Sequence, residues 1–309
     1  MLDKLLIKRL LVPLDGSSLA ESVLPASSYL AKKLNTSVTL IHIIEKDAPE
    51  KVHGQRHLKH SKQAEEYLNA IAAKKIFNGI TTEIHVHEEK VKDVPKSIAD
   101  HIKELNQDIV LLCMHGNVRL HGMIFGSVAQ QVISRGSTPV LLINSETKNL
   151  NYEFQFKNFL IPLDGNPDHE QALEYASGLA KLCSAKMHLL TAIPNFGTMS
   201  GEVSAANRLL PATTTRMMDM LVPDAKEYLE NLKVKYEQKE LSITVSASRN
   251  DPDAAIIETA KVLRSDLIVL ATHGTKGAEA FWAGSITPKI SKASKVPLLL
   301  VPVQNGLKK

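Results

Sequence analysis

The sequence predicts an α/β fold made of two tandem, doubly wound domains, each with five parallel strands. Three observations lead there: an internal repeat that spans the chain, short runs apolar on both faces, and helical periodicity between those runs. At 309 residues the chain has the length of about two ordinary domains.

The repeat sets the domain plan before any motif is interpreted. Leu11-Val12-Pro13-Leu14-Asp15-Gly16 recurs as Leu160-Ile161-Pro162-Leu163-Asp164-Gly165, and Ala64 to Leu68 recurs as Ala225 to Leu229. Asp108 to Leu112 followed by His115-Gly116 answers Asp266 to Leu270 followed by His273-Gly274. The stretch Asn144 to Lys157 is polar and reads as a linker. Residues 1–146 and 155–306 are therefore the two expected domains.

In order along the first copy, strands are expected near 7–14, 37–44, 82–87, 108–113 and 139–143. Helices are expected near 18–34, 61–76, 94–105 and 127–135. Runs such as Ile109 to Leu112 and Val140 to Ile143 lack polar alternation, which marks buried parallel strands, and strict β-α alternation predicts a doubly wound sheet. Ser18 with Glu21 reads as a capping box, and Asn166 before Pro167 as a cap followed by a first-turn proline.

Composition narrows the function classes. A net charge of +4 is small for this length and does not argue for nucleic acid. Cys113 and Cys183, one per half and both in apolar surroundings, suit reduced core residues rather than a disulfide framework. The N-terminal stretch is broken by Asp3, Lys4, Lys8 and Arg9, and no run approaches the roughly 18 apolar residues of a membrane span. A cytoplasmic protein is the expectation.

Ligands of open parallel sheets sit beyond the carboxyl ends of the strands, where the winding reverses. If strands 1 and 4 flank that reversal, Asp15-Gly16 and residues 114–127 build one site, while Asp164-Gly165 and residues 272–285 build the other. Gly116, nine residues, then Gly126-Ser127 is matched by Gly274, nine residues, then Gly284-Ser285. Glycines let a backbone approach a ligand closely, and a helix start presents unpaired N–H groups, so phosphate is the natural guest.

This pattern resembles the universal stress protein family, whose nucleotide-binding pattern is G-x2-G-x9-G-[ST] after a first strand ending Pro-x-Asp. Both copies match the later two glycines and the serine. Cys113 and Ala271 replace the first glycine, and a side chain there narrows the space for adenine or ribose. The resemblance covers essentially the whole chain as two copies, with the linker and the insertions near 47–62 and 194–222 outside it.

The resemblance implies an adenine nucleotide alpha hydrolase-like fold with strand order 3-2-1-4-5, binding ATP or a related adenine nucleotide, with Mg²⁺ as a candidate companion. The implied set in the first copy is Leu14, Asp15, Ile43, Cys113, Gly116, Gly126, Ser127 and Val128. In the second it is Leu163, Asp164, Ala192, Ala271, Gly274, Gly284, Ser285 and Ile286. The aspartate and the end of strand 2 would frame the nucleoside, and the glycine loop would hold phosphates. The expected role is a stress-response binding module with little or no hydrolysis. The family's dimer suggests that the copies pair through their last strands, Val140 to Ile143 and Leu298 to Val301, as a pseudo-dimer that could dimerise further.

Two alternatives stand beside this reading: an interaction protein with degenerate pockets, and a slow Mg²⁺-dependent ATPase. No Walker A, dinucleotide or kinase pattern is present. His115 and His273 read as loop-shaping residues rather than general bases. His85, His87 and Glu89 share a strand face that could ligate a metal, but the positions read as their counterparts, Thr244 and Ser246, favour a solvated face. His53, His57 and His60 sit in a stretch read as a mobile polar connection, and Met217, Met218 and Met220 as packing residues. The first copy is expected to bind better, because Pro288 removes an amide donor from the helix after Ser285, while Phe281 and Trp282 crowd that loop.

Overall fold

The computed structural model describes residues 7–114, 127–145, 154–193, 211–238, 240–272 and 286–303. Its contacts divide the chain into two compact units, Met1–Gln155 with Thr272–Lys309, and Phe156–Ala271.

In the first unit the strands are β1 (Arg9–Pro13), β2 (Ser37–Glu45), β3 (Lys51–Val52), β4 (Gln55–Arg56), β5 (Thr82–Val91), β6 (Ile109–Met114) and β7 (Val140–Asn144). Helices α1 (Leu24–Leu34), α2 (Ser61–Ala72), α3 (Val94–Glu104) and α4 (Ser127–Arg135) alternate with them. The main strands lie in the order β7-β6-β1-β2-β5, all parallel. This is the expected 3-2-1-4-5 arrangement read from the other edge. The central strands are buried on both faces, as their uninterrupted aliphatic runs require: Leu10, Leu11, Val110, Leu111 and Leu142 are all fully buried.

A late segment completes this sheet. Strand β12 (Leu298–Pro302) pairs antiparallel with β7, placing Leu298 against Leu142, Leu299 against Leu141 and Leu300 against Val140. Both strands are entirely buried. An aliphatic edge without charge or internal proline exposes unpaired backbone groups to any passing strand, and here β12 covers that of β7.

The second unit holds β8 (Asn158–Pro162), β9 (Lys186–Ile193), β10 (Ile243–Arg249) and β11 (Leu267–Thr272), in the order β10-β9-β8-β11. Its helices are α5 (Gln171–Cys183), α6 (Pro211–Glu237) and α7 (Pro252–Val262), while α8 (Ile286–Ala293) lies outside it in the chain. Helix α6 continues through Pro223, which has no N–H to give the carbonyl four residues back.

The same clamp closes the amino ends of the strands in both copies. The Asp108 carboxylate accepts from the amides of Lys8 (2.7 Å) and Arg9 (3.0 Å). That of Asp266 accepts from Lys157 (2.7 Å) and Asn158 (3.0 Å). Burial pushes the Asp266 carboxyl above the usual range, against the pull of these amides. The repeated aspartate before strand 4 is thus an architectural residue, at the end of the sheet opposite the Asp15 and Asp164 turns.

Of three local expectations, two need correction. The Ser18–Glu21 capping box does not form: the Ser17 hydroxyl accepts from the Ala20 amide (3.1 Å), and Glu21 turns to Tyr67 and Lys74. The Asn166 cap does form, its side chain accepting from the Asp168 amide (3.0 Å) with Pro167 following. The counterparts of His85 and His87 also move by two residues. Thr39 on β2 and His188 on β9 pair with equivalent positions of β1 and β8, which equates His85 with Ser246 and His87 with Ser248.

Finally, the polar connection after β2 is ordered as an antiparallel hairpin, with Lys51 opposite Arg56 and Val52 opposite Gln55. His53 and Gly54 both take positive φ, at 48° and 82°, which makes the reversal.

Candidate functional site

In each copy, strand 1 ends in a proline, a buried leucine and an aspartate whose side chain turns back on its own backbone. Asp15 Oδ1 accepts from the Ser17 amide (2.8 Å), and Asp164 Oδ1 from the Asn166 amide (3.0 Å). The intervening glycine takes positive φ in both, +87° at Gly16 and +81° at Gly165, a conformation that a side chain would strain. The preceding leucines, Leu14 and Leu163, are buried, and their amides bond to the carbonyls of Ile41 (2.9 Å) and Leu190 (2.8 Å) on strand 2. Two residues beyond those carbonyls come Ile43 and Ala192, so the register brings the predicted nucleoside-framing positions to the same end of the sheet as the aspartates.

Cys113, near the end of β6, joins this group. Its thiol is flanked by the hydroxyls of Ser22 and Ser145 and feels the Asp15 carboxylate; burial, the largest influence, pushes it above the usual thiol range. Ala271 holds the equivalent position in β11 and is half-buried. Helix α4 begins at Ser127, with Val128 half-buried, and α8 begins at Ile286, with Pro288 its third residue. Gly116, Gly126, Gly274, Gly284, Ser285, His115, His273, Phe281 and Trp282 lie outside the described residues, as does the side chain of Ser127.

A second repeated feature escaped the sequence reading. The Tyr67 hydroxyl donates to Glu21 (3.3 Å), and the Tyr228 hydroxyl donates to Glu170 (3.1 Å). Each glutamate lies six residues after its aspartate. Burial first and the glutamate second push both phenols up, with Asp15 and Asp164 adding to the same effect. The signal was present in the repeat: both tyrosines and both glutamates recur at matching places.

In the first copy the hairpin after β2 joins this group. Its residues lie against the end of β1: Leu58 Cδ1 and Cγ stand 3.0 Å from where a Gly16 Cβ would be, and Gln55 Oε1 accepts from the Ser18 amide. His53 Nε2 lies 3.9 Å from Asp15 Oδ2. The buried His42 ring connects the base of the hairpin to the strand, with Nδ1 2.7 Å from the Leu14 carbonyl and Nε2 3.1 Å from the Leu58 carbonyl. A neutral imidazole has one N–H and can donate to only one of these carbonyls at a time. His57 lies buried nearby, 3.8 Å from Glu45, with its titration lowered mainly by burial.

The second copy has no counterpart to these contacts among the described residues. Thr191 stands in register where the first copy has His42, no described atom lies within 4 Å of a Gly165 Cβ, and the Asp164 side chain is 60% exposed against 36% for Asp15. His169 Nδ1 holds Asp164 from the adjoining turn, 2.9 Å from its carboxylate.

The histidines named as metal candidates are placed differently from expectation. His85 and His87 pack against a buried third histidine, His101, at 4.8 and 4.9 Å between ring centroids. His101 lay on the face of a predicted helix and was not linked to them. Among the described residues, no group of three or more His, Cys, Asp or Glu is placed to hold a metal ion. Neither Cys113 nor Cys183 is in a disulfide. None of the described helices is long and apolar enough to cross a membrane. Met220 is exposed, while the side chains of Met217 and Met218 lie outside the described residues.

Comparison with known proteins places this geometry in a lineage. The profile of the Universal stress protein family matches residues 6–144 and again 155–302. Universal stress protein YxiE of Bacillus subtilis is 25% identical over 150 residues, covering 47% of this chain and 99% of that protein. Universal stress protein MJ0531 of Methanocaldococcus jannaschii is 24% identical over 151 residues, covering 49% and 85%. The crystal structure of a universal stress protein from Archaeoglobus fulgidus shares the fold across 98% of this chain and 99% of its own, with a TM-score of 0.68 and 16% identity.

Proposed function

The chain belongs to the universal stress protein family, in tandem form, and on that premise we propose that it binds ATP or a related adenine nucleotide as a regulatory module of a cytoplasmic stress response, with little or no hydrolysis. The observation that carries this reading is the repeated turn at the end of strand 1. In both copies one carboxylate oxygen fixes the loop, a positive-φ glycine follows, and strand 2 brings Ile43 or Ala192 to the same end. That arrangement offers a ribose a carboxylate acceptor beside bare backbone.

The glycine loops that follow β6 and β11 in sequence would hold the phosphates. Mg²⁺ would accompany them as a companion of the phosphates. The antiparallel pairing of β12 with β7 supports reading the repeats as an intramolecular counterpart of a homodimer.

The test is direct. Protein purified without added nucleotide is denatured, and released small molecules are identified by mass spectrometry; the stripped protein is then titrated with ATP. Adenine nucleotide released, or ATP bound and then lost in an Asp15→Ala, Asp164→Ala double variant, is the expected result. Absence of release and of binding up to millimolar ATP refutes the reading and leaves a module with empty pockets. Turnover that survives repeated purification and vanishes in the same variant would make it an ATPase.

A further inference from the structure

We propose that the hairpin following β2, residues 46–58, is an internal competitor for the first copy's nucleotide site, so that the second copy loads first and the first copy loads only when the hairpin is displaced. This rests on the nucleotide-binding reading above and adds its regulation.

Four contacts at the end of β1 carry the inference. Leu58 packs onto Gly16 at the point where a glycine leaves backbone bare. Gln55 takes the Ser18 amide, one of the N–H groups of the turn that leads into α1. His53 approaches the Asp15 carboxylate from the hairpin's reversal. His42 stands between Leu14 and Leu58, its Nδ1 2.7 Å and its Nε2 3.1 Å from their carbonyls, with one N–H to give to either. A carboxylate, an amide and a bare glycine are the groups a nucleoside would need, and in this copy the hairpin takes the amide, packs on the glycine and brings His53 to 3.9 Å from the carboxylate.

The second copy supplies the contrast within one molecule. Its glycine has the same conformation and its aspartate the same bond to the amide two residues on, yet no described atom lies within 4 Å of a Gly165 Cβ, and Asp164, though held by His169 at 2.9 Å, is the more exposed carboxylate. Strand register puts Thr191 where His42 stands, so the second copy lacks the side chain that anchors the hairpin. The ranking drawn from Pro288, Phe281 and Trp282, which favours the first copy, is reversed by this proposal. A proline at the third position of α8 removes one donor, whereas the hairpin covers the acceptor and the bare backbone together.

Displacement costs the nucleotide part of its binding free energy, since apparent affinity falls by the fraction of molecules in which the site is free. The experiment is equilibrium titration of the nucleotide-free full chain with ATP, reading stoichiometry and the two dissociation constants. Wild type should bind one equivalent tightly, and Asp164→Ala should abolish that site. A His53→Ala, Gln55→Ala double variant, whose changes lie on exposed hairpin residues, should tighten the weak site by about ten-fold or more. Asp15→Ala in that background should remove the gain. His42→Thr, which installs the second copy's residue, should act in the same direction, and a thermal melt checks that each variant folds.

Two equal sites in wild type would overturn the proposal while leaving nucleotide binding intact. So would a first-site affinity unchanged in the folded hairpin variants. If neither wild type nor any variant binds ATP, both the proposal and the reading beneath it fall.

Discussion

Replacing Gly16 and Gly165 by alanine, one at a time, separates backbone strain from the hairpin contact. The two glycines have nearly the same φ, +87° and +81°, so the strain of placing an L residue there is shared and cancels in the difference. That shared part is about 1–2 kcal/mol. At Gly16 the new Cβ also meets Leu58, 3.0 Å from both Cδ1 and Cγ; at Gly165 it meets no described atom within 4 Å. Leu58 must then rotate away from its rotamer, adding about 0.5–1.5 kcal/mol. The expected order is therefore wild type, then Gly165→Ala, then Gly16→Ala. A chain of two units need not unfold in one step, so local stability is read by hydrogen exchange in peptides from β1 to β2 and from β8 to β9. The cycle closes with Leu58→Ala, alone and combined with Gly16→Ala, which should recover the additional cost. Equal losses at the two glycines, or no recovery on truncating Leu58, would refute the contact.

Removing the strand clamps by Asp108→Ala or Asp266→Ala should cost about 1–3 kcal/mol each, seen as a lower denaturation midpoint, with ATP affinity unchanged because the clamps lie at the other end of the strands. The Leu141→Lys, Leu299→Lys pair puts two like charges directly opposite each other at buried positions of β7 and β12. It should destabilise the first unit by on the order of 3 kcal/mol or more, measured as early loss of exchange protection in residues 140–144. Burial lowers the titration of His57, His85 and His188, so the fold holds them neutral. Their contribution is present above the ordinary histidine value of about 6.5 and is lost as pH falls from there through their folded values. Melting temperature should accordingly drop between pH 7.5 and pH 5.5, and His188→Gln should flatten part of that slope.

The sheet was legible because its signal is redundant: four aliphatic runs and one alternating run with helical periodicity between them, written twice. Each strand boundary of the first copy was located within a few residues. The turn after strand 1 was legible because both copies spell it alike, Leu14-Asp15-Gly16 and Leu163-Asp164-Gly165. What escaped lies in features without a repeat partner. The hairpin's turn at His53-Gly54 is flanked by strands of two residues, too short for alternation to register, and its meaning depends on Leu58 meeting Gly16 across 42 positions of sequence. The histidine cluster failed for a related reason. His101 belongs to a helix and His85 to a strand, so only packing could join them. The two-residue error in their counterparts arose because the loops before strand 3 differ in length, which strand register corrects and local similarity does not.

The pairing of β12 with β7 also places a demand on biosynthesis. Val140 leaves the ribosome 160 residues before its partner Leu300. At typical elongation rates of about 5–20 residues per second, that interval is roughly 8–32 s. Throughout it, a nascent chain carries an aliphatic strand whose outer edge has no native partner, and neighbouring nascent chains on the same message carry the same strand. An antiparallel match to an aliphatic strand is not selective, so a second copy of β7 could occupy the place reserved for β12. Slowing synthesis after residue 145 should therefore raise the yield of wrongly joined chains, while shortening the wait should lower it.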